Sequence, residues 1–463
     1  MIREGGASDK GRKRQPPRLA GERATEASKI EEKQAQSASE ETRALTEDLM
    51  ERICTPSNLN RAYKRVKRNK GAAGVDGMTL EELLSYLKAH KEELLKKLLE
   101  GSYEPQAIRG VEIPKPDGSK RQLGIPTVVD RVIQQAMLQE LERIFDPDFS
   151  DYSYGFREGR SAHQALEKAS EYVKEGYEWV VDIDLEKFFD KVNHDILMDR
   201  LSRKVGDKRV LKLIRRYLQS GIMQNGVVME RQAGTPQGSP LSPLLSNIML
   251  DELDKELERR GHKYVRYADD GNIYVRSEKA GARVLKSIRH FLSERLRLKL
   301  NEAKSGCEQV DKRKFLGYRI LTDGRLTLAP ITVERLKKKV RELTKRSRGR
   351  AMERVVKDLN QYLRGWLGYF RIAENKSLMR DLDSWIRRRL RCYRLKQRKR
   401  SYPIAKWLQS QGVSARNAWN LAKSSKGWWK LSRNPVINSA LPNRWFKEQG
   451  LYSLFEEYIR FNV

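Results

Sequence analysis

Residues 263–276 read Lys263-Tyr264-Val265-Arg266-Tyr267-Ala268-Asp269-Asp270-Gly271-Asn272-Ile273-Tyr274-Val275-Arg276. Two short runs rich in Val, Ile and Tyr flank Ala268-Asp269-Asp270-Gly271, and alternating runs around Asp-Gly are a hairpin signal. The pattern puts two adjacent carboxylates at a tight turn, where like charges repel. Two readings stand. A divalent cation neutralises the pair, or the stretch is an exposed turn, for which Asp and Gly are ordinary residues. The rest of the chain has to decide between them.

A second acidic element lies about 85 residues earlier, where 179–190 reads Trp-Val-Val-Asp-Ile-Asp-Leu-Glu-Lys-Phe-Phe-Asp. Val180, Val181 and Ile183 predict a buried strand, and Asp182 and Asp184, two apart, share one face. Burying acids at the end of such a strand is costly without a cation or hydrogen bonds. Acids on two neighbouring strands can hold two divalent ions. Such ions, ~3.5–4 Å apart, clamp the attacking and leaving oxygens of a phosphoryl transfer. Asp184, Asp269 and Asp270 supply the minimal set.

Composition narrows the partner and the metal. Lys and Arg number 94 against 62 Asp and Glu, a net +32 over 463 residues, which points to a polyanion, nucleic acid before a membrane surface. No run of about 18 apolar residues exists to span a bilayer. The start has no apolar signal-peptide core, and its scattered acids argue against an organellar transit peptide. Cys54, Cys307 and Cys392 lie far apart and the five histidines are scattered. That predicts no disulfide framework, no zinc site and a reducing compartment. The metal is then oxygen-bound, Mg²⁺ or Mn²⁺ before zinc.

Residues 1–44 are polar and predict a disordered tail. Over 45–110, helical patterns surround a Gly-rich loop at 70–77 that lacks the Gly-Lys-Ser/Thr of a Walker motif. Thr79 is placed to cap a helix running to Leu99. At 111–126, Pro116-Asp117-Gly118 is a turn between extended runs with Lys115, Lys120 and Arg121 near its ends. It is either a solvated hairpin tip or a finger that contacts phosphates. Helix and strand intermix over 111–325, an α+β pattern. Inside it, Thr235-Pro-Gln-Gly-Ser-Pro240 is a rigid helix entry of the kind that favours anions. Residues 331–400 then carry 24 basic and 7 acidic residues, a net +17, with Trp366, Tyr369, Phe370, Trp385 and Tyr393 interleaved. The aromatics read as the core of a helical bundle; the sign of the charge favours a nucleic-acid groove. A basic segment with five further tryptophans fills 401–463.

Together these stretches resemble one family. Tyr267-Ala268-Asp269-Asp270 resembles the Tyr-x-Asp-Asp box of reverse transcriptases. It follows Asp184-Leu-Glu-Lys-Phe-Phe189 and Thr235-Pro-Gln-Gly-Ser-Pro240, and precedes Phe315-Leu-Gly-Tyr318, in that family's order. Tyr154-Gly-Phe-Arg157, Gly159-Arg-Ser-Ala-His163 and Tyr362-Leu-Arg-Gly-Trp-Leu-Gly-Tyr-Phe370 look like the group II intron-encoded branch. The resemblance covers roughly 45–435. It implies an α+β right-hand polymerase, with fingers and an antiparallel palm sheet over 111–325, an N-terminal extension and start of the fingers over 45–110, an α-helical thumb or maturase domain over 326–400, and a DNA-binding-like segment over 401–463.

Carried over residue by residue, Asp184, Asp269 and Asp270 bind two Mg²⁺, with Mn²⁺ as a substitute. Asp182 stays outside the ligand set, because the aromatic gate, Phe189, falls five residues after Asp184. Gln237, Lys115 and Arg121 match nucleotide-pocket positions, and Phe315, Leu316, Gly317 and Tyr318 match the primer grip. Residues 55–79 resemble a template-contacting extension. Nothing after 395 is Cys or His, so the zinc endonuclease of many relatives is not expected. The implied partners are group II intron RNA, an RNA template with a DNA primer, dNTPs and a DNA target. The implied place is a bacterial cytoplasm, near the nucleoid. Alternatives are a splicing-only maturase and a retron-like, CRISPR-associated or host-adopted reverse transcriptase.

Overall fold

The apolar alternation of the sequence becomes ten strands among the described residues: β1 (Ile108–Pro114), β2 (Lys120–Ile125), β3 (Trp179–Asp184), β4 (Ile222–Gln224), β5 (Val227–Met229), β6 (Lys263–Tyr267), β7 (Asp270–Val275), β8 (Gly306–Gln309), β9 (Tyr318–Ile320) and β10 (Leu326–Leu328). Helices alternate with them, so the chain is α+β, as expected. The computed structural model describes residues 46–462, except 115–117, 119, 225, 226, 230–232 and 237. The expected tail over 1–44, the Pro116-Asp117 turn, Lys115 and Gln237 lie outside the described residues.

The chain divides into two units, Met1–Phe149 with Lys187–Met249, and Ser150–Glu186 with Leu250–Val463. In the first, a sheet of order β2-β1-β4-β5 is built on an antiparallel hairpin that pairs Arg109 with Ile125 and Pro114 with Lys120. The helix Val128–Phe145 is buried along most of its length and is capped by Thr127, whose hydroxyl accepts from Asp130 N at 3.1 Å. The helix expected from Thr79 begins instead at Leu83. Thr79 N donates to Glu82 Oε2 at 2.8 Å and Thr79 Oγ1 accepts from Glu82 N at 3.4 Å. The capping pair is thus spent on a turn ahead of the helix.

The second unit is organised on an all-antiparallel sheet of order β6-β7-β3-β8. The helix Ala162–Lys174 starts with a Ser161/Gln164 capping box. Its Ala165, Leu166, Ala169, Tyr172 and Val173 share one core with Val180, Val265 and Tyr274 of the sheet. That core continues into the helices Pro330–Leu343, Met352–Phe370 and Lys376–Arg398. Trp366 and Tyr393 are buried in it, and Tyr369, Phe370 and Trp385 pack partly buried against it. The interleaved aromatics are therefore mainly core, and the basic side chains are carried around them. Some guanidinium groups lie over the outer rings, as Arg388 does over Trp429, 3.7 Å from its centroid. Among the described residues no helix is long and apolar enough to cross a membrane.

The acidic hairpin differs from its sequence reading in register. Asp-Gly preference centres the turn on Asp270-Gly271, but Tyr267 pairs with Asp270 and Arg266 with Gly271. The two-residue turn is Ala268-Asp269, and Asp270 opens β7. Ala268 has φ 59°, a left-handed value that glycine usually supplies. Tertiary contacts described below hold Ala268 there and override local turn preference.

Candidate active site

The carboxylates predicted from two separate stretches meet at one end of the sheet. β3 and β7 pair Asp184 with Asp270, Ile183 with Gly271 and Asp182 with Asn272. Asp269 stands in the adjoining turn. The peptide N–H and C=O of Asp184 both face away from β7, toward the segment 299–305. Asp184 and Asp270 are thus a pair of the non-hydrogen-bonded kind, in which Cα atoms approach to about 4.5 Å and side chains lie closest. Asp182, two residues back, is on the same face and is partly buried.

The setting shifts the protonation of Asp270 and Asp182. Burial pushes Asp270 up to about 7, and Asp182, Asp269 and Asp184 push it the same way. Asp270 keeps solvent contact at the strand end, and burial is still the larger cause, with the like charges adding to it. Burial raises Asp182 to about 6, against the pull of Arg313, whose guanidinium lies 3.5 Å from Asp182 and 3.0 Å from Glu308. The ammonium of Lys304 is 3.2 Å from Asp184 Oδ2. That contact is a charge approach and not an aligned bond, because among the described residues the same buried oxygen has no hydrogen-bond partner. Among the described residues no three acid, His or Cys groups already surround a common point. The donor set nevertheless fits a hard divalent cation: oxygen ligands only, mutual repulsion to relieve, and an anionic oxygen without a donor.

The turn rests on residues that sequence reasoning did not single out. Arg266 is buried with Asp254, at 2.5 Å, with side-chain exposures of 3% and 0%. The same guanidinium donates to the carbonyl of Ala268 at 2.8 Å. On the outer edge of β6, Arg266 N donates to Tyr152 O and Tyr154 N to Arg266 O, each at 2.9 Å. Gly155 of the Tyr-Gly-Phe-Arg loop then lies so close that a Cβ there would stand 2.2 Å from Ala268 N. One signal was readable. Arg266 is a cation in an apolar strand, and such a residue needs a buried anion.

The other predicted residues have their own settings. Phe189 belongs to the first unit. Its ring packs edge-on against Phe188, centroids 5.2 Å apart, and its carbonyl accepts from Thr235 N at 2.6 Å. Gly238 (φ 112°) approaches β2, where a Cβ would meet Gly124 O at 2.8 Å. Phe189, the Thr235–Pro240 loop and β2 are thus joined within that unit. Arg121 is exposed on β2, opposite Ile113. Phe315–Tyr318 is a tight turn of primed type. Leu316 and Gly317 have φ 51° and 85°, and Phe315 and Tyr318 exchange two bonds of 2.9 Å. Tyr369 Oη donates to Leu316 O at 3.0 Å and Thr332 Oγ1 to Gly317 O at 2.7 Å, fixing the turn to the helices.

Comparison with known proteins matches this arrangement. Residues 113–320 fit the family described as reverse transcriptase (RNA-dependent DNA polymerase), and 333–412 the group II intron maturase-specific domain. Protein YkfC of Escherichia coli is 34% identical over 314 residues, 59% of this chain and 82% of YkfC. The group II intron-encoded protein LtrA of Lactococcus lactis subsp. cremoris is 30% identical over 325 residues, 56% of this chain and 54% of LtrA. A putative COX1/OXI3 intron 1 protein of Saccharomyces cerevisiae is 29% identical over 316 residues, 56% of this chain and 38% of that protein. The chain spans most of YkfC but about half of LtrA.

Proposed function

The chain belongs to the reverse transcriptase and maturase family encoded by group II introns, and on that premise we propose that it copies intron RNA into cDNA and binds that RNA to assist splicing and retrohoming. One observation carries the catalytic half: Asp184 faces Asp270 across adjacent strands with Asp269 beside them. Reverse transcriptases in general use Mg²⁺ for catalysis. We assign two such ions, replaceable by Mn²⁺, to Asp184, Asp269 and Asp270. Bound there, they supply Lewis-acid activation of the primer hydroxyl and neutralise charge on the triphosphate.

The chain's own groups do the rest. Asp182 keeps Arg313 as its partner and stays outside the ligand set. The Phe189 ring lies under the sugar and rejects a 2′-hydroxyl, which selects deoxynucleotides. To Gln237 we assign recognition of the incoming nucleotide, and to Lys115 and Arg121 its triphosphate. The rigid turn Phe315–Tyr318 positions the primer strand. The basic helices take the RNA backbone by charge and shape, and the segment 401–463 meets the DNA target. The setting is the bacterial cytoplasm, close to the nucleoid.

Primer extension on poly(rA) with oligo(dT) and dTTP tests the reading. Wild-type protein extends the primer. The Asp269→Ala/Asp270→Ala double variant loses at least about 10²–10³-fold in rate while intron-RNA affinity is unchanged. Extension at the wild-type rate by the double variant overturns the site.

A further inference from the structure

On β3, ladder pairing with β8 runs from Trp179 to Asp182 and stops. Asp184, one hydrogen-bonding step further, has no strand on that side. Its peptide groups are met by a loop. Ser305 Oγ accepts from Asp184 N at 3.0 Å and donates to Asp184 O at 3.1 Å. Asn301 N donates to the same carbonyl at 2.8 Å. On either side, Leu185 bridges to Leu300, and Glu186 N donates to Lys299 O at 2.9 Å. The loop carries itself, since Ser305 N donates to Asn301 O at 2.8 Å.

A hydroxyl is one donor and two acceptors, so one side chain here does the work of a peptide unit. We propose that Ser305 is a positioning residue for catalysis, its hydroxyl replacing the missing strand partner of the Asp184 peptide and so setting where the Asp184 carboxylate meets the metal. This rests on the reading of Asp184 as a metal ligand. The carbonyl of Asp184 has a second donor in Asn301. The N–H of Asp184 has Ser305 Oγ as its bond, so removing that oxygen frees the N-terminal side of the residue while the sheet itself stays paired. Outer groups that orient metal ligands typically contribute about 10–100-fold in metal affinity or activity.

The test compares wild type, Ser305→Ala, Ser305→Thr and Asp184→Ala. Mg²⁺ is titrated in primer extension. Mn²⁺ binding is measured by EPR on the complex with primer-template and a chain-terminated primer, where no turnover occurs. Ser305→Ala is expected to raise both the half-saturating Mg²⁺ and the Mn²⁺ dissociation constant about 10-fold, and Ser305→Thr to restore both. Unchanged metal curves in Ser305→Ala overturn the proposal. So does a lower melting temperature in EDTA with unchanged metal curves, which marks a purely structural residue. If Ser305→Ala does not fold, Ser305→Cys, nearly isosteric with weak thiol bonds, decides by the same two curves. A wild-type protein no more active than Asp184→Ala instead refutes the parent reading.

Discussion

The two acidic elements are neighbours in one sheet, yet they are held by opposite means. The Asp269–Asp270 turn is fixed from the inside, by an ion pair of which almost nothing is exposed and by Gly155 pressed against Ala268. Asp184 is fixed from the outside, by a half-exposed loop whose contacts are hydrogen bonds to the peptide. The position of the turn is therefore bound up with folding, because the groups that set it cannot lose their partners cheaply. The position of Asp184 can change while the sheet stays intact. That difference separates variants that unfold the unit from variants that retune its metal.

The largest effect belongs to the inside support. Arg266→Leu leaves the fully buried Asp254 carboxylate without its cation, which costs about 3–5 kcal/mol. Chemical denaturation is expected to show the second unit destabilised by that amount or already unfolded. Arg266→Lys keeps the charge but loses the fork that reaches Asp254 and Ala268 O together, and it falls between. A wild-type denaturation curve for Arg266→Leu would dissolve the contrast drawn above. Next comes Gly155→Ala. The added methyl meets backbone, not a flexible side chain, so the turn must shift, at about 1–3 kcal/mol. The variant is expected to lower the extension rate more than it lowers the melting temperature. A rate equal to wild type would show that the Tyr-Gly-Phe-Arg loop does not set the turn.

Much of this was legible in the residues. Asp182 and Asp184 two apart in a Val/Ile run gave away a strand end with acids on one face, and the paired Asp269-Asp270 gave away the hairpin. The α+β character and the basic helices followed from pattern and charge, and the antiparallel sheet from the family resemblance. The turn register was not legible, because Asp-Gly is the better local turn and the preference loses to Gly155, which is 113 residues away from Ala268. Ser305 was unreadable for a similar reason. It reads as an ordinary loop serine until β8 is seen to end before Asp184. Local chemistry tells which residues need partners; only the assembled sheet tells which partners they get.

The smallest effect is a pH slope, and it divides the two acids that face each other's strands. In EDTA, Asp182 is raised to about 6 and Asp270 to about 7, against about 3.9 in an unfolded chain. A raised acid means that the folded state binds the extra proton. Its contribution to stability is therefore whole below about pH 4 and is lost as pH rises through 6 for Asp182 and 7 for Asp270. Arg313 offsets part of the shift at Asp182, whereas around Asp270 three like charges add to the effect of burial. Melting temperatures from pH 4 to 8 should fall less with rising pH in Asp270→Asn than in wild type, and Asp182→Asn should lie between. If Asp182→Asn flattens the profile more, the inner acid is the one that repulsion strains. The outer loop with Ser305 would then be steadying Asp184 against Asp182 on its own strand, instead of against the turn.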